Sequence, residues 1–214
     1  MGKLEELKNG KLVAVIRGAS SEQIIPITRA LIDGGINALE ITVETPKVCY
    51  LIEKVKAEFG EEIIAGAGTV LDAETARAAI MSGAEFIFSP TVQEETIKMT
   101  KRYGVISIPG AFTPTEILTA YESGADIIKV FPADSLGPNY FKHLKGPLRQ
   151  IPLMPTGGVG FENLLNYLQA GAVAVGLGGS LVNPSKLTST QNYQELTDRA
   201  KQFVEIVNGF NSDK

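Results

Sequence analysis

A lysine set inside an apolar run is the first feature of this sequence that invites chemistry. Lys129 lies in Ile127-Ile128-Lys129-Val130-Phe131-Pro132, which reads as a strand. Strand side chains alternate between faces, so Ile127, Lys129 and Phe131 share one face and Ile128 and Val130 the other. Burial disfavours an ammonium and lowers its pKa, and a partly neutral amine is what attack on a ketone requires. The structural alternative is a lysine near a strand end whose head reaches solvent. Glu40, within Leu39-Glu40-Ile41-Thr42, puts a carboxylate in a second apolar run. That suits a general base, unless the residue only pairs with a lysine in the interior. The two together say more than either alone, because both polar groups enter the same interior.

Binding groups accompany this pair. Pro155-Thr156-Gly157-Gly158 and Gly178-Gly179-Ser180 are glycine-rich turns. Turns so placed let backbone amides approach a phosphate, with the Ser180 hydroxyl in addition; simple tight turns are the alternative. Arg17 and Thr69, the latter in Gly66-Ala67-Gly68-Thr69, are candidates for a substrate carboxylate. The arginine would use a forked contact, the threonine its hydroxyl and nearby amides. Arg17 could instead be a rim residue paired with Glu40 or Glu44, and Thr69 could cap the helix that starts near Asp72.

Such groups need a frame. Short apolar runs at Leu12–Ile16, Ala38–Thr42, 63–66, 86–89, 105–109, 127–131, 153–156 and 173–177 read as strands. Helical patterns at 22–33, 47–59, 73–81 and 94–103 alternate with them, as βαβ units in a parallel sheet do. Gly35, Gly83, Gly124 and Gly171 close helices at spacings of 48, 41 and 47 residues, about two βα units each. Glycine suits that position because φ turns positive there. Eight strands predict a (β/α)₈ TIM barrel, an eight-stranded parallel barrel surrounded by helices, in a single domain over 1–214. A doubly wound open sheet is the rival, since it shares the same local grammar. In a barrel, the catalytic groups would sit at the C-terminal strand ends, where all the residues above fall. The polar tail over 208–214 is expected to fray.

Composition narrows the class. The 214 residues are 44% hydrophobic and 21% charged, an ordinary soluble balance. A net charge of -4 argues against nucleic acid or an anionic membrane as partner. Cys49 is the single cysteine and His143 the single histidine, so no intrachain disulfide forms and no soft metal-ligand cluster exists. No metal or other cofactor is expected. The N-terminus lacks a signal-peptide core, and no run reaches the roughly 18 apolar residues of a membrane helix. The expected address is the cytoplasm.

In order along nearly the whole chain, the motifs resemble the 2-keto-3-deoxy-6-phosphogluconate/4-hydroxy-2-oxoglutarate (KDPG/KHG) aldolase family. They are Ala14-Val15-Ile16-Arg17, Gly34-Gly35, Leu39-Glu40-Ile41-Thr42, Gly66-Ala67-Gly68-Thr69-Val70, Phe88-Ser89-Pro90, Ile108-Pro109-Gly110, Thr113-Pro114-Thr115-Glu116, Lys129-Val130-Phe131-Pro132, Pro155-Thr156-Gly157-Gly158 and Gly178-Gly179-Ser180. The resemblance implies a homotrimeric barrel acting on a small 2-keto acid. It implies a Schiff-base lysine at Lys129, an acid/base glutamate at Glu40 and a phosphate site at Gly157, Gly158, Gly179 and Ser180. Pro90, Phe131 and Thr156 are expected to wall the pocket. Some members carry a carboxylate-binding arginine shortly after the glutamate; here Val43-Glu44-Thr45 stands there, which moves that task to Arg17 and Thr69. Members acting on the galactonate epimer share much the same motifs. A sugar-phosphate isomerase or epimerase, with Glu40 as base and Lys129 as its charge partner, is the enzymatic alternative. A phosphosugar-binding sensor that turns nothing over is the non-enzymatic one.

Overall fold

Valine, isoleucine and leucine runs bounded by glycine and polar turns become strands, and the amphipathic stretches between them become helices. The computed structural model describes residues 2–212. Its strands are β1 (Leu12–Ile16), β2 (Ala38–Thr42), β3 (Ile64–Gly68), β4 (Phe86–Phe88), β5 (Ile106–Ile108), β6 (Gly110–Ala111), β7 (Ile128–Val130), β8 (Leu153–Pro155) and β9 (Val175–Leu177). The helices are α1 (Lys3–Gly10), α2 (Ile24–Asp33), α3 (Val48–Phe59), α4 (Ala73–Met81), α5 (Glu94–Arg102), α6 (Pro114–Glu122), α7 (Gly137–Lys145), α8 (Leu164–Gln169) and α9 (Thr190–Ser212). Local signals set several helix starts. Thr113 and Glu116 form a capping box ahead of α6, and the Asp72 carboxylate accepts from the Thr75 amide at 2.6 Å to open α4, satisfying otherwise unpaired amides. Thr69 therefore does not cap α4. The four helix-closing glycines all take φ between 87° and 99°.

Every strand pairing is parallel. The strands fall into a six-stranded sheet, β5-β4-β3-β2-β1-β9, and a three-stranded sheet, β6-β7-β8, where the sequence predicts eight in one ring. The expected strand over 105–109 is divided because Pro109, lacking an N–H, breaks the ladder between β5 and β6. Its carbonyl still accepts from Lys129 N at 2.9 Å, so β7 lies alongside the break. On the other flank Val173 N donates to Leu153 O at 2.9 Å, and a parallel bridge joins Thr156 to Gly176.

The strands' two faces feed two apolar clusters. Leu39, Ile41, Ile128 and Val130 point outward into the larger cluster shared with the helices. Val13, Ala38, Ile64, Phe86, Phe88, Ile108, Ile127, Met154 and Ala174 point inward into one smaller cluster to which both sheets contribute. Lys129 shares the face of Ile127, and Glu40 that of Ala38. Leu7 of α1, 1% exposed, joins the inner cluster and stoppers its N-terminal end. Helix α1 is a device that the mixed-charge N-terminus does not announce. At the tail, helix α9 continues to Ser212 with Phe210 buried and residues 208, 209, 211 and 212 exposed; residues 213 and 214 of the expected frayed stretch lie outside the described residues.

Candidate active site

A cavity of about 730 Å³ opens at the C-terminal strand ends. Arg17 follows β1, Glu40 sits within β2, Thr69 follows β3 and Pro90 follows β4. Lys129 sits in β7 and Phe131 just beyond it, Thr156, Gly157 and Gly158 follow β8, and Gly179 and Ser180 follow β9. All of them line this one cavity. The cavity also takes in Glu162 and Asn183, which the sequence reading passes over because a polar residue just past a turn carries no distinguishing signal.

Lys129 is 5% exposed, and its ammonium nitrogen lies 4.7 Å from the centroids of both the Phe88 and Phe131 rings. Burial pushes its pKa below the ordinary lysine value; Glu40 pulls it back up and Arg17 adds to the depression. Glu40 is 1% exposed. Its pKa is raised to about 7, mainly by burial, with Lys129 and Arg17 pulling the other way. Each group's low-dielectric surroundings disfavour its charge. The Glu40 Oε2 atom has no hydrogen-bond partner, and neither has the buried Thr156 hydroxyl. Buried polar atoms are nearly always paired, so two unpaired ones lining the same cavity mark where another molecule's polar groups belong. Gly68 explains how Glu40 fits: a Cβ there would lie 2.2 Å from the Glu40 carboxylate, so the absent side chain is the carboxylate's seat.

The binding candidates are disposed differently. Thr69 holds a φ of +60°, uncommon for any residue but glycine and an outlier for a β-branched one; such strain gathers at functional sites. Arg17 is largely exposed and is paired through Nη1 with Glu44, the rim arrangement weighed from the sequence, although it also lines the cavity. Gly157 and Gly158 carry φ of 91° and 69°. The amide N–H groups of Gly158, Val159, Gly179 and Ser180 donate to no group among the described residues. The Ser180 hydroxyl donates to Val159 O at 2.7 Å. Among the described residues, no group of three or more His, Cys, Asp or Glu side chains could hold a metal ion.

A buried amine, a carboxylate with a neutral pKa and a cluster of free amides are an aldolase's inventory, and the comparisons agree. The sequence matches the family described as "KDPG and KHG aldolase" over residues 4–199. The chain belongs to this aldolase family. The 2-dehydro-3-deoxy-6-phosphogalactonate aldolase of Escherichia coli K12 is 34% identical over 194 residues, covering 90% of this chain and 92% of the relative. The solved structure called "Native KDPGal structure" superposes with a TM-score of 0.88 at 33% identity, over 94% of this chain and 96% of that one. The KDPG aldolase from Legionella pneumophila, solved with pyruvate captured as a covalent carbinolamine, superposes with a TM-score of 0.85 at 27% identity, over 94% of this chain and 97% of that one. In the aldolase described here, no helix among the described residues is long and apolar enough to cross a membrane.

Proposed function

We propose that this protein is a metal-independent class I aldolase. It reversibly cleaves 2-keto-3-deoxy-6-phosphogluconate to pyruvate and glyceraldehyde 3-phosphate, and 4-hydroxy-2-oxoglutarate to pyruvate and glyoxylate. The observation that carries the reading is the pairing of a buried Lys129, its pKa lowered, with a buried Glu40 whose pKa is about 7. The neutral amine of Lys129 adds to the C2 ketone, and loss of water leaves a protonated imine. Glu40, directly or through one water, takes the proton of the C4 hydroxyl. The C3–C4 bond breaks, its electron pair flows into the imine as an enamine, and the aldehyde leaves. The enamine then takes a proton at C3 from Glu40, and water releases pyruvate and the free amine. A carboxylate near pKa 7 suits both directions of that transfer. Phe88 and Phe131 keep water from the amine.

Arg17 and Thr69 hold the pyruvate-end carboxylate in this reading; Glu44 engages Nη1 of Arg17, and the rest of the guanidinium fork remains for substrate. The amides of Gly158, Val159, Gly179 and Ser180 receive the phosphate at the far end. Pro90 and Thr156 wall the space between, the Thr156 hydroxyl taking a substrate oxygen. The two sheets, with their shared inner cluster, are read as one closed (β/α)₈ barrel in a single domain, Pro109 interrupting its fifth strand. The assembly is a homotrimer, for which Leu71, Met81 and Phe112 offer exposed apolar side chains, and the address is the cytoplasm.

One experiment separates this reading from an isomerase or a silent phosphosugar sensor. The protein is incubated with pyruvate, reduced with borohydride and digested. A covalent pyruvate-derived mass on the Lys129 peptide is expected. No adduct, or an adduct on another lysine, would overturn the assignment.

A further inference from the structure

Among the described residues, the phosphate end of the cavity is lined by no lysine or arginine, and its one charged lining residue is the carboxylate of Glu162. An anion bound there depends on backbone amides, and isolated amides bind well only when they are held in place beforehand. Two residues that do not line the cavity do that holding. Asn163 straddles the first turn, its Nδ2 donating to Gly158 O at 2.9 Å and its Oδ1 accepting from Gly160 N at 2.9 Å. In a trans peptide the N–H points away from its carbonyl, so fixing Gly158 O turns the Val159 N–H the opposite way. On the second turn, Nη1 of Arg199 donates to Leu181 O at 3.0 Å, directly after Ser180. The Ser180 hydroxyl then joins one turn to the other through Val159 O. Helix α9 anchors both turns: Arg199 belongs to it, and so does the buried Phe203, on which Phe161 stacks at 4.0 Å between ring centroids.

We propose that Asn163 and Arg199 are positioning residues that hold the 157–160 and 178–180 turns as one anion cradle, and thereby set the enzyme's preference for phosphorylated substrates. This rests on the phosphate reading above. Neither side chain touches substrate; each acts by keeping amides aimed at one point.

The test compares the phosphorylated sugar acid with its dephosphorylated counterpart, using inorganic phosphate as a competing probe. Asn163→Ala is expected to raise KM for the phosphorylated substrate, and the inhibition constant of inorganic phosphate, by roughly tenfold or more, the scale of a lost hydrogen bond near a charged group. Its kcat/KM on the dephosphorylated substrate and its borohydride trapping of pyruvate stay within about twofold. Arg199→Ala is expected to do the same through the second turn, and Arg199→Lys, which can still donate, to recover most of the loss. The Arg199→Ala effect persists in 0.5 M salt, where a purely long-range charge effect is screened. Equal losses on both substrates, unchanged phosphate preference, or an effect that salt abolishes would overturn the proposal. The phosphate reading fails on a separate observation: wild-type enzyme that cleaves both substrates equally and ignores inorganic phosphate.

Discussion

The two ends of the strand array treat their sheltered charges, half-buried at one end and fully buried at the other, in opposite ways. At the N-terminal end, Glu85 just before β4 accepts from Lys56 at 3.0 Å and from the Ala65 amide at 3.1 Å, and pairs with Lys3 of α1. Asp126, just before β7, repeats the pattern one repeat later, taking Lys101 at 2.7 Å and the Ser107 amide at 2.8 Å. Carboxylates there are saturated with partners, as stable proteins require. At the C-terminal end the Glu40 carboxylate leaves an oxygen unpaired, and Lys129 rests on two aromatic rings. The same chain satisfies its charges where they hold the fold and leaves them unsatisfied where a substrate is to complete them.

Substitutions at four positions probe that contrast. Lys129→Ala should have the largest effect, abolishing turnover and borohydride trapping while circular dichroism reports an intact fold; an alanine variant that still traps pyruvate would break the comparison at its strongest point. Glu40→Gln should slow cleavage by roughly 10²–10⁴-fold, the usual worth of general acid–base catalysis. In wild-type enzyme kcat/KM should rise with pH through about 7 as Glu40 ionises, and this inflection should vanish in the variant. Stability offers a second reading of the same group. The unfolded chain releases this proton near 4.5 whereas the folded protein holds it to about 7. The stabilisation is therefore complete below the lower value and lost as pH rises through the upper one. Glu40→Gln should flatten the melting temperature across that window, and an unchanged slope would remove Glu40 as its source.

Arg17→Ala should cost less, because its guanidinium is exposed and already paired with Glu44. Losses should be similar on phosphorylated and unphosphorylated substrates, with partial recovery in Arg17→Lys, which keeps the charge but not the fork. A loss confined to phosphorylated substrate would move Arg17 to the far end of the cavity. Asp126→Asn should have the smallest catalytic effect and a clear structural one. Weakening its hold on Lys101 and the Ser107 amide should lower stability by about 1–3 kcal/mol in urea melts, while pyruvate trapping proceeds as before. Impaired trapping in the folded variant would mean that the two ends are coupled.

Much of this contrast is legible in the sequence. Period-two alternation places Lys129 with Ile127 and Glu40 with Ala38, and the inner cluster contains both neighbours. β1, β2 and α4 fall at their expected bounds, because their apolar runs and helix punctuation are local properties. What escapes is set by partners distant in sequence. Nothing around Phe88 says that its ring lies under Lys129, since an aromatic residue in a strand reads as core. For Arg17 the sequence offers both Glu40 and Glu44 as partners, and only the folded chain selects Glu44. The plug formed by Leu7, with Leu4 packed beside it, depends on two leucines among charged neighbours. Asn163 is one more polar residue after a turn until its carboxamide is seen spanning that turn.

Gly68 has a bearing on how such an enzyme could be re-engineered. To a library designer it is a permissive, flexible position close to the substrate and a natural target for saturation. Yet a Cβ there would lie 2.2 Å from the Glu40 carboxylate, so any other amino acid forces the base to shift from its seat. A screen that varies Gly68 would fill with dead clones for a reason unrelated to substrate fit. Diversity aimed at aldehyde scope belongs at Glu162 and Asn183, which line the cavity away from the buried pair.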